Sequence, residues 1–118
     1  MNVTIYEYPK CGTCRNAKKW LDEHNVKYEA IHIVDEPPHA ETLKELHQKS
    51  GLELKAFFNT SGKKYRELDL KNKRKAMSEQ EQYELLASDG MLIKRPIVTD
   101  GKTVTLGFKE DQFQANWA

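Results

Sequence analysis

A chain of 118 residues fits one domain with a modest core and has no need of disulfide staples. Nineteen basic and eighteen acidic residues leave a formal charge of +1, which argues against direct nucleic-acid binding. The opening MNVTIYEYPKCG is too polar for a signal-peptide core, and no later stretch approaches the roughly 18 apolar residues of a spanning helix. The expectation is a cytoplasmic protein with no membrane partner.

Residues 3–8, VTIYEY, are β-branched and aromatic and predict a strand that Pro9 ends. A helix follows from Gly12 to about His24, with Ala17 and Leu21 on one face, Cys14 and Trp20 near its edges, and Asn25 as the stop. Residues 28–34, YEAIHIV, predict a second strand, and Pro37-Pro38 opens a loop. A helix is expected over about 39–49, with Leu43 and Leu46 inward and Gly51 at its end. Leu52, Leu54, Phe57 and Phe58 suit a short buried helical piece, and Thr60-Ser61-Gly62 is a break. Tyr65, Leu68 and Leu70 suggest another short helix. Ser78 and Glu81 form a capping-box pattern before a helix that Asp89-Gly90 stops. Residues 97–99 and 103–106 alternate around Asp100-Gly101, a hairpin signal, and a last helix is expected over about 109–116. Tyr6, Trp20, Phe57, Phe58 and Phe113 read as core, and the basic run 71–75 as a solvated face.

The order is β-α-β, then helices, then β-β-α. It predicts an α/β fold with a mixed sheet of thioredoxin or glutaredoxin-like type, in a single domain over 1–118 with a helical insertion at about 39–90.

The chemistry is expected at Cys11-Gly12-Thr13-Cys14. In a reducing compartment two cysteines at this spacing favour catalysis or metal binding over a structural bridge. Zinc within one chain needs four ligands. No second cysteine pair follows, and His24, His32, His39 and His47 are scattered, so no metal is expected unless a site is shared between chains. Cys11 falls where strand gives way to helix. The free amides of the first turn and the helix dipole favour an anion there, and Lys10 and Arg15 add positive charge. A lowered Cys11 pKa is therefore predicted. A fall from ~8.5 to ~7 gives roughly 16-fold more thiolate at pH 7, each about fivefold less nucleophilic, so the net gain in attack is only about threefold. The larger gain is as a leaving group, which suits a full exchange cycle with Cys14 as the resolving thiol.

The runs Tyr8–Arg15, Ile93–Val98 and Leu106–Asp111 resemble the arsenate reductase (ArsC)/Spx/MgsR family, closest to its YusI-like branch. Glu36-Pro37-Pro38, Phe57–Thr60 and Tyr65–Leu68 extend the likeness over nearly the whole chain. The resemblance implies a thioredoxin-like fold with a helical insertion. It also implies Cys11 as the nucleophile, Arg95 as an oxyanion-binding arginine, and Pro96 as a cis proline facing the cysteine site. Gly12, Thr13 and Arg15 join Arg95 and Pro96 as the expected anion- or substrate-binding residues.

Arsenate reductases of this type use three arginines, and Asn59 and Phe108 stand at the other two positions here. Two charge-assisted contacts are thus absent, each worth roughly 1.5–3 kcal/mol. Those enzymes also carry one cysteine in the motif, whereas Cys14 offers an internal disulfide.

The leading expectation is a thiol–disulfide oxidoreductase acting on a disulfide or oxyanion substrate. It would hold no bound cofactor and be regenerated by an external thiol reductant: glutathione and glutaredoxin, thioredoxin, or another low-molecular-weight thiol. The alternatives are arsenate reduction proper and a redox-sensing regulator that contacts RNA polymerase. A monomer is expected.

Overall fold

The computed structural model describes residues 2–118, which fold as two units. The first runs to His32 and resumes at Arg95. In it, β1 (Asn2–Glu7) lies parallel to β2 (Lys27–His32) and antiparallel to β3 (Ile97–Thr99). β3 is antiparallel to β4 (Val104–Leu106), so the sheet order is β2-β1-β3-β4. The register sets Ile5 opposite Ala30 and Val98.

Alternation along β1 buries Val3, Ile5 and Glu7. Two helices, α1 (Gly12–Glu23) and α6 (Glu110–Trp117), close over the face that carries Val3, Ile5 and Val98. Ala17, Trp20 and Leu21 from one helix and Phe113 and Trp117 from the other complete that core. Trp20 meets Phe113 edge to face at 5.3 Å. Each large side chain so buried contributes about 1.5–3 kcal/mol of transfer free energy. Trp117 keeps its indole N–H satisfied by donating to Thr105 Oγ1 at 3.2 Å. Asn25 ends α1 at φ +57, the left-handed geometry expected of a helix stop.

The second unit spans Ile33–Lys94. It holds α2 (Ala40–Ser50), α3 (Lys63–Glu67), α4 (Leu70–Lys73) and α5 (Glu79–Ser88), with short 3-10 turns at Leu54–Phe57, Arg74–Ala76 and Gly90–Leu92. Its core includes Ile33, Leu43, Leu46, Phe57, Phe58, Leu86, Leu92 and Ile93. His47 on α2 bonds the Tyr83 hydroxyl on α5 at 2.6 Å. The capping box at Ser78 is complete: its hydroxyl accepts from the Glu81 amide, and the Glu81 carboxylate accepts from the Ser78 amide. Gly90 is required by contact, because a Cβ there would lie 2.0 Å from the Ile33 carbonyl oxygen.

Four details differ from the sequence reading, the first being Leu52, which is 43% exposed and lies before the 3-10 turn Leu54–Phe57 rather than in a buried helical piece. The second strand stops at His32 rather than continuing to residue 34, and Ile33 is buried in the second unit instead. The helix expected around Tyr65–Leu70 is two pieces, separated where Asp69 takes φ +50. Tyr6 is half-buried on the other face of β1 rather than in the core. No helix among the described residues is long and apolar enough to cross a membrane.

Candidate active site

Cys11 is the N-cap of α1, with extended backbone at φ −87 and ψ 119. Its N–H donates to the Tyr8 carbonyl at 2.9 Å, and its own carbonyl starts the helix by accepting from Arg15 at 3.1 Å. The cap itself is sulfur: the Cys14 amide donates to Cys11 Sγ at 3.4 Å. This role usually falls to the oxygen of Ser, Thr or Asp. Both cysteines are reduced; Cys11 is half-buried and Cys14 fully buried.

Their environments drive the two thiols apart. Burial raises the pKa of Cys11, but the Cys14 amide and thiol, the Arg95 charge and the Thr13 amide together outweigh it, and the pKa lies below the ordinary value. Burial pushes Cys14 up to about 12, against a backbone hydrogen bond from Tyr8. The hydrogen bond to Cys11 and the negative charges of Cys11 and Glu7 add to that rise. One thiol is thus ready to attack or to leave, and the other is held protonated one helical turn away.

The cation acting on Cys11 is Arg95, from the segment that enters β3, whereas Lys10 and Arg15, its neighbours in sequence, are exposed. The Arg95 guanidinium lies over the Tyr8 ring, 5.2 Å from its centroid. His32 meets the same ring edge-on at 5.7 Å. The Arg95–Pro96 peptide bond is cis, and Pro96 is buried. Gly12 and Thr13 lie exposed in the first turn of α1. Beneath that helix Glu7 is 4% exposed and pairs with Lys18 at 2.8 Å.

Of the residues expected at the site, Cys11, Gly12, Thr13, Cys14, Arg15, Arg95 and Pro96 all belong to the first unit. Phe108 is half-buried and packs edge to face on Phe113 at 4.8 Å, so it extends the apolar core. Asn59 belongs to the second unit, where its amide donates to the Leu92 carbonyl at 2.8 Å and its side chain lies against Gly62. Sequence reasoning passed over Tyr8 and Glu7. The period-two pattern Val3-Ile5-Glu7 was the signal that Glu7 faces inward. Among the described residues no three His, Cys, Asp or Glu side chains gather to hold a metal ion.

The model of the ArsC family matches residues 6–116. The chain is 68% identical over 118 residues to the uncharacterized protein YusI of Bacillus subtilis (strain 168), covering all of both chains. It is 30% identical over 112 residues to the global transcriptional regulator Spx of Listeria innocua, covering 95% of this chain and 84% of Spx. Among solved structures, a protein from Staphylococcus aureus COL superposes with a TM-score of 0.90 at 50% identity over 98% of both chains. The arsenate reductase from Vibrio cholerae superposes with a TM-score of 0.87 at 29% identity, covering 98% of this chain and 97% of that one.

Proposed function

This chain belongs to the ArsC family, and from that premise we propose that it is a cytoplasmic thiol–disulfide oxidoreductase with Cys11 as nucleophile and Cys14 as resolving thiol. The observation that carries this reading is the asymmetry of the pair: Cys11 accepts the Cys14 amide at 3.4 Å and has a lowered pKa, while buried Cys14 stays protonated. Cys11 attacks a disulfide and expels one thiolate. Cys14 then displaces the remaining half of the substrate and closes the Cys11–Cys14 bond. An external thiol system, such as glutaredoxin with glutathione or thioredoxin, returns the pair to dithiol. Gly12, Thr13 and Arg15 line the mouth of the helix N-terminus, and Arg95 and Pro96 flank the entering group.

Arsenate reduction is a second reading, supported by the Arg95 charge acting at a helix N-terminus that favours anions. Phe108 weighs against it, since its ring is committed to Phe113. A single titration in graded glutathione buffers, trapped by alkylation and read by mass spectrometry, tests the main reading. A Cys11–Cys14 disulfide forming at roughly −220 to −320 mV supports it. Thiols that stay reduced, or a glutathione adduct confined to Cys11, refute the internal-disulfide cycle and favour the arsenate reading.

A further inference from the structure

β1 places an acid where its pattern calls for an apolar side chain. Val3, Ile5 and Glu7 share the sheet face that α1 covers, and Glu7 is as buried as the aliphatics beside it. A buried carboxylate is costly unless paired. Lys18 supplies the pairing at 2.8 Å. Lys18 follows Cys14 by four residues on α1, so both project from the same side of that helix. The Glu7 carboxylate is therefore held in the layer between sheet and helix, on the side from which the Cys14 thiol projects. Packing does not require it, because an aliphatic residue would continue the Val3–Ile5 stripe.

We propose that Glu7 is the proton acceptor for Cys14 in the resolving step, an inference that rests on the oxidoreductase reading above. In that step the Cys14 S–H proton passes to a Glu7 carboxylate oxygen. The Cys14 sulfur forms the S–S bond with Cys11 Sγ, and the bond from Cys11 to the substrate sulfur breaks. The departing thiolate takes the electron pair. The dithiol is thereby oxidised by two electrons, and the substrate disulfide is reduced to two thiols.

The electrostatics agree with this assignment. Cys14, held at about 12, is ionised in only about one molecule in 10⁵ at pH 7. Its side chain is fully buried. The Glu7 charge is one of the influences that oppose the Cys14 thiolate. Taking up the proton removes that charge as the thiolate forms. The titratable and charged groups around Glu7 are Lys18 and Cys14 on α1, with Tyr28, which feels its charge, and His32, its register partner, on β2.

The test uses the full-length reduced protein and one equivalent of dithiobis(nitrobenzoate) in a stopped-flow instrument. The first release of chromophore reports attack by Cys11, and the second reports resolution by Cys14. Glu7→Gln is expected to leave the first phase within about twofold and to slow the second by about 100-fold at pH 7. The slowed phase should quicken about tenfold per pH unit, as expected for specific-base ionisation of a high-pKa thiol, while the wild-type phase stays much flatter. Glu7→Asp should recover part of the rate. If Gln compromises the fold, Glu7→Leu, which continues the apolar stripe, is read in the same way. A second phase unchanged in rate and pH profile by these variants overturns the proposal. So does a wild-type second phase that itself climbs about tenfold per pH unit from pH ~6 to ~9, a measurement that needs no variant. A wild-type protein that releases only the first chromophore defeats the oxidoreductase reading instead, so the two failures are distinguishable.

Discussion

The Arg95 guanidinium rests over the ring of Tyr8, the residue whose carbonyl receives the Cys11 N–H at 2.9 Å. A single side chain thus links the turn that presents the sulfur to the cation that favours its ionised form. Cation–π contacts of this kind are worth about 0.5–2 kcal/mol, enough to bias where a long side chain spends its time.

Replacing that cation should therefore blunt Cys11. In Arg95→Met the Cys11 pKa rises, and alkylation by iodoacetamide at pH 7 slows by roughly two- to fivefold. Tyr8→Leu shifts the same profile in the same direction by less. Unaltered pH profiles of alkylation in both variants would show that Arg95 does not support the thiolate.

Cys14 should make the protein sensitive to alkali. The folded thiol keeps its proton to about 12, whereas the unfolded thiol releases it near ~8.5. Between those values the folded chain binds more protons, so stability falls as pH rises. The slope from this group reaches at most about 1.4 kcal/mol per pH unit. Urea unfolding from pH 8 to 10 should give Cys14→Ala a shallower loss than wild type. Parallel curves would contradict the assignment.

Two glycines should respond oppositely to alanine. A Cβ at Gly90 meets the Ile33 carbonyl at 2.0 Å, a backbone atom with no freedom to yield. Gly90→Ala is expected to cost more than about 3 kcal/mol. A Cβ at Gly12 meets nothing within 4 Å, and Gly12 opens a helix. Gly12→Ala should be neutral or gain up to about 1 kcal/mol. Thermal melts of the two proteins decide the matter.

Thr105→Val removes the acceptor for the Trp117 indole at almost constant volume. Both residues are about 1% exposed. The orphaned N–H should cost about 1–3 kcal/mol in chemical denaturation, with no change in Cys11 alkylation. A neutral result would mean that the indole finds another partner.

The elements that local chemistry specifies were legible in the sequence. Pro9 after an alternating run, Asn25 at a helix end, Ser78 with Glu81, and Asp100-Gly101 between alternating pairs each name a structure within a few residues. They placed the four strands along the chain, while the order β2-β1-β3-β4 came from the structure. What escaped was set by contacts distant in sequence. Lys10 and Arg15 lie close to Cys11 in the chain, yet the charge that acts on it is that of Arg95, which the family resemblance points to and the local sequence does not. Glu7 lay in plain view within VTIYEY, but one acidic residue in a strand ordinarily marks its solvent face, and only Lys18 across the layer makes burial tolerable. Asp69 broke a helix through a left-handed residue that no glycine announced.

The Cys11 sulfur, the proposed nucleophile, is also the acceptor that closes the first turn of α1. Whenever that sulfur is engaged in a covalent bond, the Cys14 amide competes for a weaker acceptor, and the helix loses part of the cap it had at rest. Each turn of the proposed cycle would then loosen and retighten the start of α1. Amide hydrogen exchange at Cys14 should run faster in the oxidised protein than in the reduced one, so the redox state of the pair is written into the breathing of a helix end.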